Sequence, residues 1–233
     1  MSMLEIIQEA SDLLGLSRPE VVISSVDKTV RALLAALNAE GKALSRRADW
    51  KALHQEVTFG TSATSEQYRL SDIAADFGRL INNSIWNRTT KQRIHGPLNP
   101  REWQQIQATS NPPMNPTYRI GGGMLYLYPP PEAGQSVSFA YISTFWCETP
   151  DHYGRTKFMA DNDVGRLDEH LLMLGTVWRF LQSKGLPYGE PFAQYERAVH
   201  SALSRDGGRH ELEMIPGLGQ FSAPRAPDGN WNV

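Results

Sequence analysis

The chain has 233 residues with a formal net charge of −2, 40% hydrophobic and 21% charged residues, 19 glycines, 15 prolines and one cysteine. That length suits one substantial domain, or one domain plus extensions, and the near-neutral charge argues against a dedicated nucleic-acid binder, whose domain is as a rule clearly basic. The lone Cys147 excludes an intramolecular disulfide and fits a reducing cytoplasm. No apolar run approaches the ~20 residues of a membrane span. The opening MSMLEIIQEA has an acid at position 5 and amphipathic spacing, unlike a signal peptide. A soluble chain with no membrane partner is expected.

In chain order, Leu4, Ile7, Ala10, Leu13 and Leu14 share one face of a first helix over 3–15. A longer helix runs from Ser25 or Asp27, either of which can cap it, to about Arg47. Its inner side is expected to carry Val26, Val30, Leu33, Leu34, Leu37 and Leu44, and Trp50 and Leu53 are expected over its end. Gly41, inside this helix, costs roughly 1 kcal/mol relative to Ala and so implies close packing. From Gln55 the period changes. EVTFG and QYRL alternate on either side of TSATSE, predicting a hairpin. Gln92–His95 reads as a further strand. Asn99-Pro100-Arg101-Glu102 is a helix start, with a cap, a proline at the first position and an acid three residues after the cap, opening a helix over 100–108.

TYRI, GGG and MLYLY over 117–128 predict two strands joined by a glycine turn. Pro129–Pro131 ends the second of them. Residues 135–146, QSVSFAYISTFW, predict a long strand in the same sheet, and 147–164 a polar loop. The stretch 163–209 then predicts a helical hairpin. Leu167, Leu171, Leu174, Trp178 and Leu181 form a stripe on its first helix, widened by Leu172, Met173, Val177 and Phe180. An arc that wide calls for neighbours on two sides. Phe192, Tyr195, Val199 and Leu203 line the second helix, which ends at Asp206-Gly207-Gly208. The remainder is rich in Gly and Pro yet carries Leu212, Met214, Ile215, Leu218, Phe221 and Trp231. Such a segment cannot bury its own apolar groups and reads as an arm that packs on something else.

The fold class is therefore α+β: a helical bundle with an inserted antiparallel β lobe and an extended C-terminal arm. Residues 1–206 form one domain, with the helical part at 1–54 and 165–206 and the β lobe at 55–164; the arm is 207–233.

Catalytic and metal chemistry find little footing. The six histidines lack metal spacing, and one cysteine builds no thiolate zinc site. His210-Glu211 opens like a zincin motif but Met214 stands where its second histidine belongs. Gly121–Gly123 lacks the lysine and helix of a phosphate-binding loop. Asp161-Asn162-Asp163 begins like a calcium loop, but Leu172 replaces the closing acid. Asp161, Asp163, Asp168 and Glu169 cluster in sequence and invite a glycosidase reading, but helix capping accounts for them better. The aromatic stripe Tyr118, Tyr126, Tyr128, Phe139 and Tyr141 fits a packed sheet face better than a base-stacking platform, since no basic groove surrounds it. No catalytic residue, cofactor or metal is expected.

The order of the pieces resembles head-to-tail adaptor (connector) proteins of tailed double-stranded DNA phages. LEIIQEASDLLGL, GKALSRRADWKALHQEVTF, DFGRLINNSIWNR, GPLNPREWQ, YRIGGGMLYLYPPP, LDEHLLMLGTVWRFLQSKGLPY and YERAVHSALSRDGGR carry the likeness, collinearly over residues 1–210. The resemblance implies a structural virion protein at the head–tail joint, assembled as a ring, commonly of twelve copies, between the portal protein and a tail or nozzle protein. DNA would pass through its channel without sequence-specific binding. On that picture Leu212, Met214, Ile215, Leu218, Phe221 and Trp231 form a portal-binding arm, and Leu171, Leu174, Trp178 and Leu181 pack both internally and against the next subunit. The alternatives are a phage-borne peptidoglycan hydrolase using the acidic cluster, and another tail-completion or nozzle component.

Overall fold

The structure, a computed structural model, describes residues 1–109, 113 and 115–207. Helix α1 (Met3–Leu13) starts in a capping box between Ser2 and Glu5, and α2 (Lys28–Arg47) is capped by Asp27, whose carboxylate accepts the Thr29 N–H at 2.7 Å. Such caps contribute about 0.5–2 kcal/mol each by satisfying donors that the first turn leaves orphaned. Trp50 covers the end of α2, its indole N–H donating to the Leu44 carbonyl at 2.7 Å. At the other end of the chain α5 (Glu169–Ser183) and α6 (Gly189–Asp206) form the expected hairpin, with Asp168 capping α5. One apolar cluster joins these four helices: Ile6, Ile7, Leu33, Leu37, Leu44, Leu171, Leu172, Leu174, Val199 and their neighbours.

Between the two helical pairs the strands form three sheets. β1 (His54–Gly60) pairs antiparallel with β8 (Ser136–Ser143) along seven residues, from His54 opposite Ile142 to Gly60 opposite Ser136. β3 (Phe77–Leu80) and β4 (Trp86–Asn87) also pair with β8, and β5 (Gln92–Arg93) extends β4. The second sheet runs β2 (Glu66–Arg69), β7 (Met124–Tyr128), β6 (Thr117–Gly121). Short α3 (Leu70–Ile73) follows β2, and α4 (Pro100–Ala108) opens with the expected capping box of Asn99 and Glu102. A second apolar cluster, including Ile85, Tyr118, Leu125, Leu127, Val137, Phe139 and Tyr141, draws on both of these sheets. The third sheet is small: β10 (Gly154–Arg155), β9 (Cys147–Glu148), β11 (Val164–Gly165).

Three expectations are corrected here. EVTFG and QYRL do not form a hairpin with each other; they lie in different sheets. The polar stretch between them is a crossing: the Thr61 hydroxyl donates to the Glu132 carbonyl at 2.6 Å, and the Ser65 hydroxyl to the Leu127 carbonyl at 2.7 Å. Residues 135–146 do not join the sheet of 117–128, because the chain changes sheet across Pro129–Pro131. Finally, residues 147–164 are not simply loop: the third sheet is built from them and from Gly165.

β8 is a shared wall. Successive side chains of a strand face opposite ways, so Val137, Phe139 and Tyr141 enter the second cluster while Ile142 enters the helical one. Beyond β8, Trp146, Cys147 and Phe158 also lie in the helical cluster. Trp146 is 1% exposed; its ring lies edge-to-face on Phe158 at 4.9 Å, and its N–H donates to the Thr156 carbonyl at 2.8 Å. Its other face meets α2 where Gly41 leaves room: a Cβ there would stand 2.3 Å from the indole.

Gly41→Ala is therefore expected to destabilise the protein. The ~1 kcal/mol gained in helix propensity is outweighed by roughly 1–3 kcal/mol of overpacking against a ring held on its other side. Urea denaturation reads this as a lower midpoint, and an unchanged or raised midpoint would show that the indole can yield.

Candidate assembly surfaces

The stripe on α5 is covered from within the chain. Leu171, Leu174 and Trp178 are buried and Leu181 is half-buried, all packed in the cluster to which α1, α2 and α6 contribute. Neighbours on two sides were required, and the chain's own helices supply them.

At the centre of this packing sits a polar lock that the sequence analysis missed. Glu40 of α2 is fully buried. One carboxylate oxygen accepts from Arg179 Nε on α5 at 2.6 Å, and the other from the Tyr195 hydroxyl on α6 at 2.5 Å. Gly175 makes room for it, because a Cβ there would lie 2.2 Å from Glu40 Cγ. Burial, and then the bond to Glu40, push the Tyr195 phenol well above its ordinary pKa, so it stays a donor. Alongside, Arg47 makes a two-pronged bond to Glu196 at 2.8 and 2.5 Å, which holds Arg47 charged and draws the Glu196 carboxyl below the usual range. The available signal was an acid on the buried face of α2, between Leu37 and Leu44, with Gly175 and Arg179 one turn apart on α5.

The acidic cluster is structural. Asp161 accepts from the backbone N–H of Val22 and Ile23, the latter at 2.9 Å. Asp163, fully buried, accepts from Arg155 at 2.9 Å and from the N–H groups of Met159 and Ala160 at 2.7 and 2.9 Å. Asp168 caps α5, and Glu169 pairs with the Met1 amine. The carbonyls of Asp161 and Asp163 accept the N–H groups of Leu4 and Met3 at 3.1 and 2.7 Å, so this loop anchors α1. Among the described residues no group of three or more His, Cys, Asp or Glu side chains is placed to hold a metal, and no helix is long and apolar enough to cross a membrane. In the aromatic stripe, Tyr118, Phe139 and Tyr141 are buried, while Tyr126 and Tyr128 meet the edge of Trp103 at 6.1 and 6.2 Å.

Two exposed apolar patches stand out on the helical part. One lies in the α1–α2 connection: Val21, Ile23 and Val26, with Met159 in the loop that Asp161 ties to it. Val26 does not join the inner side of α2 as expected, because it precedes the Asp27 cap and is 91% exposed. The other lies at the α5–α6 turn, where Leu186, Tyr188 and Phe192 are exposed and Phe192 meets Trp178 edge-to-face at 5.1 Å. The six arm residues, Leu212, Met214, Ile215, Leu218, Phe221 and Trp231, lie outside the described residues.

The sequence model of the SU10 adaptor protein family matches residues 1–214, both helical pairs and all three sheets included. The chain belongs to the SU10 adaptor protein family. Comparison with curated proteins finds no match. Membership bears out the resemblance to phage head–tail adaptors and identifies the chain as a phage adaptor. In this SU10 adaptor, then, the acids that invite a hydrolase reading are fastenings of the fold.

Glu40→Gln is expected to cost this adaptor about 3 kcal/mol, the low end of the ~3–5 kcal/mol for breaking one side of a buried pair, because Arg179 reaches solvent. Replacing the whole lock, Glu40→Met with Arg179→Met and Tyr195→Phe, is expected to restore most of it. Urea denaturation of the single and triple variants checks both; equal losses would show that the lock acts through its shape alone.

Proposed function

We propose that this SU10 adaptor is a non-catalytic ring subunit that joins the capsid portal to the tail and leaves a channel for DNA. The observation that carries this reading is the family match along residues 1–214. The two apolar patches support the ring. A ring of identical subunits repeats one contact between two different surfaces until it closes, and the patch of Val21, Ile23 and Val26 together with that of Leu186, Tyr188 and Phe192 offers such a pair. In this reading the subunit contact lies on those patches, with Leu174 and Trp178 supporting the second from beneath. The near-neutral charge suits a channel through which DNA slides, since many phosphate contacts would hold it back. Leu212, Met214, Ile215, Leu218, Phe221 and Trp231 are the proposed portal-gripping residues, many arms acting together to raise a weak single contact.

Each patch offers three large side chains, at roughly 1.5–3 kcal/mol apiece when fully buried, against an association cost of about 4–15 kcal/mol. The free subunit is accordingly expected to be monomeric in native mass spectrometry and to form rings only on portal. Val26→Asp and Phe192→Asp should each leave a folded monomer that no longer closes rings on purified portal, scored by electron microscopy. Deleting residues 211–233 should abolish capture by portal in a pull-down. Full occupancy of portal by all three variants would overturn the assignment.

A further inference from the structure

A groove of about 620 Å³ runs between α2 and the edge formed by β3 and β8. This is within the ~300–1,000 Å³ that takes a small ligand or a few side chains. Its floor is apolar, made by Ala39, Ile142 and the indole of Trp146 seated on Gly41. Around it stand four cations: Lys42 and Arg46 one turn apart on α2, Arg79 on β3, and Lys157. Arg79 pairs with Asp49, whereas Lys42, Arg46 and Lys157 make no salt bridge to a carboxylate of the described residues. Among the described residues no acid lines the groove. An occupant that satisfies both parts must bring carboxylates and apolar side chains in alternation.

The chain itself carries such a sequence, and carries it close by. Residues 211–215 read Glu-Leu-Glu-Met-Ile. In an extended backbone alternate side chains face opposite ways, which sends Glu211 and Glu213 to one side and Leu212 and Met214 to the other. α6 ends near the C-terminal end of α2: the Asp206 carboxylate accepts the Lys51 N–H at 2.9 Å, and Trp50 folds this segment back onto the last turn of α2. That turn bears Ser45 and Arg46. The four residues from 207 to 211 span up to about 13–14 Å, enough to round the end of α2. We propose that in the unassembled subunit this groove takes the chain's own residues 211–215, with the glutamates on the cationic rim and Leu212 and Met214 on the apolar floor. Phosphates would engage the rim but leave the floor uncovered, so a peptide fits the groove better than nucleic acid.

The test uses the full-length chain with Ser45→Cys and Leu212→Cys. The native Cys147 is fully buried and burial pushes its thiol up to about 12, so it stays out of exchange. On mild oxidation an intramolecular disulfide is expected to form at least tenfold faster than in a control pairing Leu212→Cys with Ser201→Cys on α6. Lys42→Glu with Arg46→Glu should bring the rate down to that of the control, and adding Glu211→Lys with Glu213→Lys should restore it, which excludes simple unfolding. Equal rates in groove and control overturn the proposal, as do disulfides found only between chains. So does slowing by duplex DNA while the arm's charge changes have no effect, which would mark a nucleic-acid site.

Discussion

A single buried carboxylate sets the geometry of the helical part. Glu40 is fully buried away from solvent, so α5 must present Arg179 and α6 must present Tyr195 at hydrogen-bond distance. Leaving either partner out would strand a charge or a polar group in an apolar surround. The close seat at Gly175 follows from the same requirement, since any larger residue would push α5 away from the carboxylate. The next residue along α2 is turned by about 100°, and it does the complementary task. Gly41 faces the indole of Trp146, which arrives from the far end of β8. Adjacent residues of one helix thus join the bundle to itself and the bundle to the strands.

Features decided within a few residues were legible in the sequence. The cap at Asn99, a cap for α2 at Ser25 or Asp27, the paired strands 117–121 and 124–128, and the helix of 100–108 all depend on neighbours close along the chain. What escaped was partner choice at a distance. β1 alternates in a way that suits any strand with a matching face, and nothing in EVTFG specifies Ser136–Ser143 over the nearer QYRL. The pairing of Glu40 with Arg179 spans 139 positions, and each residue alone reads as an ordinary helix charge. Gly41 announced a close approach without naming Trp146. Likewise, the width of the α5 stripe announced two-sided packing, but periodicity does not distinguish the chain's own helices from a neighbouring subunit.

The acidic run at 161–169 shows how composition can suggest chemistry where geometry supplies something else. Its carboxylates face backbone N–H groups, a buried arginine contact and a helix start. Each has a fixed donor of its own within the fold. For an adaptor, whose work is to be held and to hold, such fastenings matter more than reactive groups. The proposed contact surfaces are instead exposed apolar side chains at connections, where Val26 and Leu186 sit outside any helix or strand.

The docking of α1 onto the 161–163 loop has a consequence for synthesis. The N–H groups of Met3 and Leu4 bond to carbonyls some 160 positions later, and the apolar face of α1 packs largely on helices that flank the strands in sequence. At ~5–20 residues per second, a ribosome exposes α1 for roughly 8–30 seconds before its anchor exists. The strands, whose partners all lie between 54 and 143 in the two larger sheets, are complete earlier. The nascent chain would therefore carry a finished β lobe and an unclosed helical part, and the bundle would shut only when the last quarter of the protein leaves the exit tunnel.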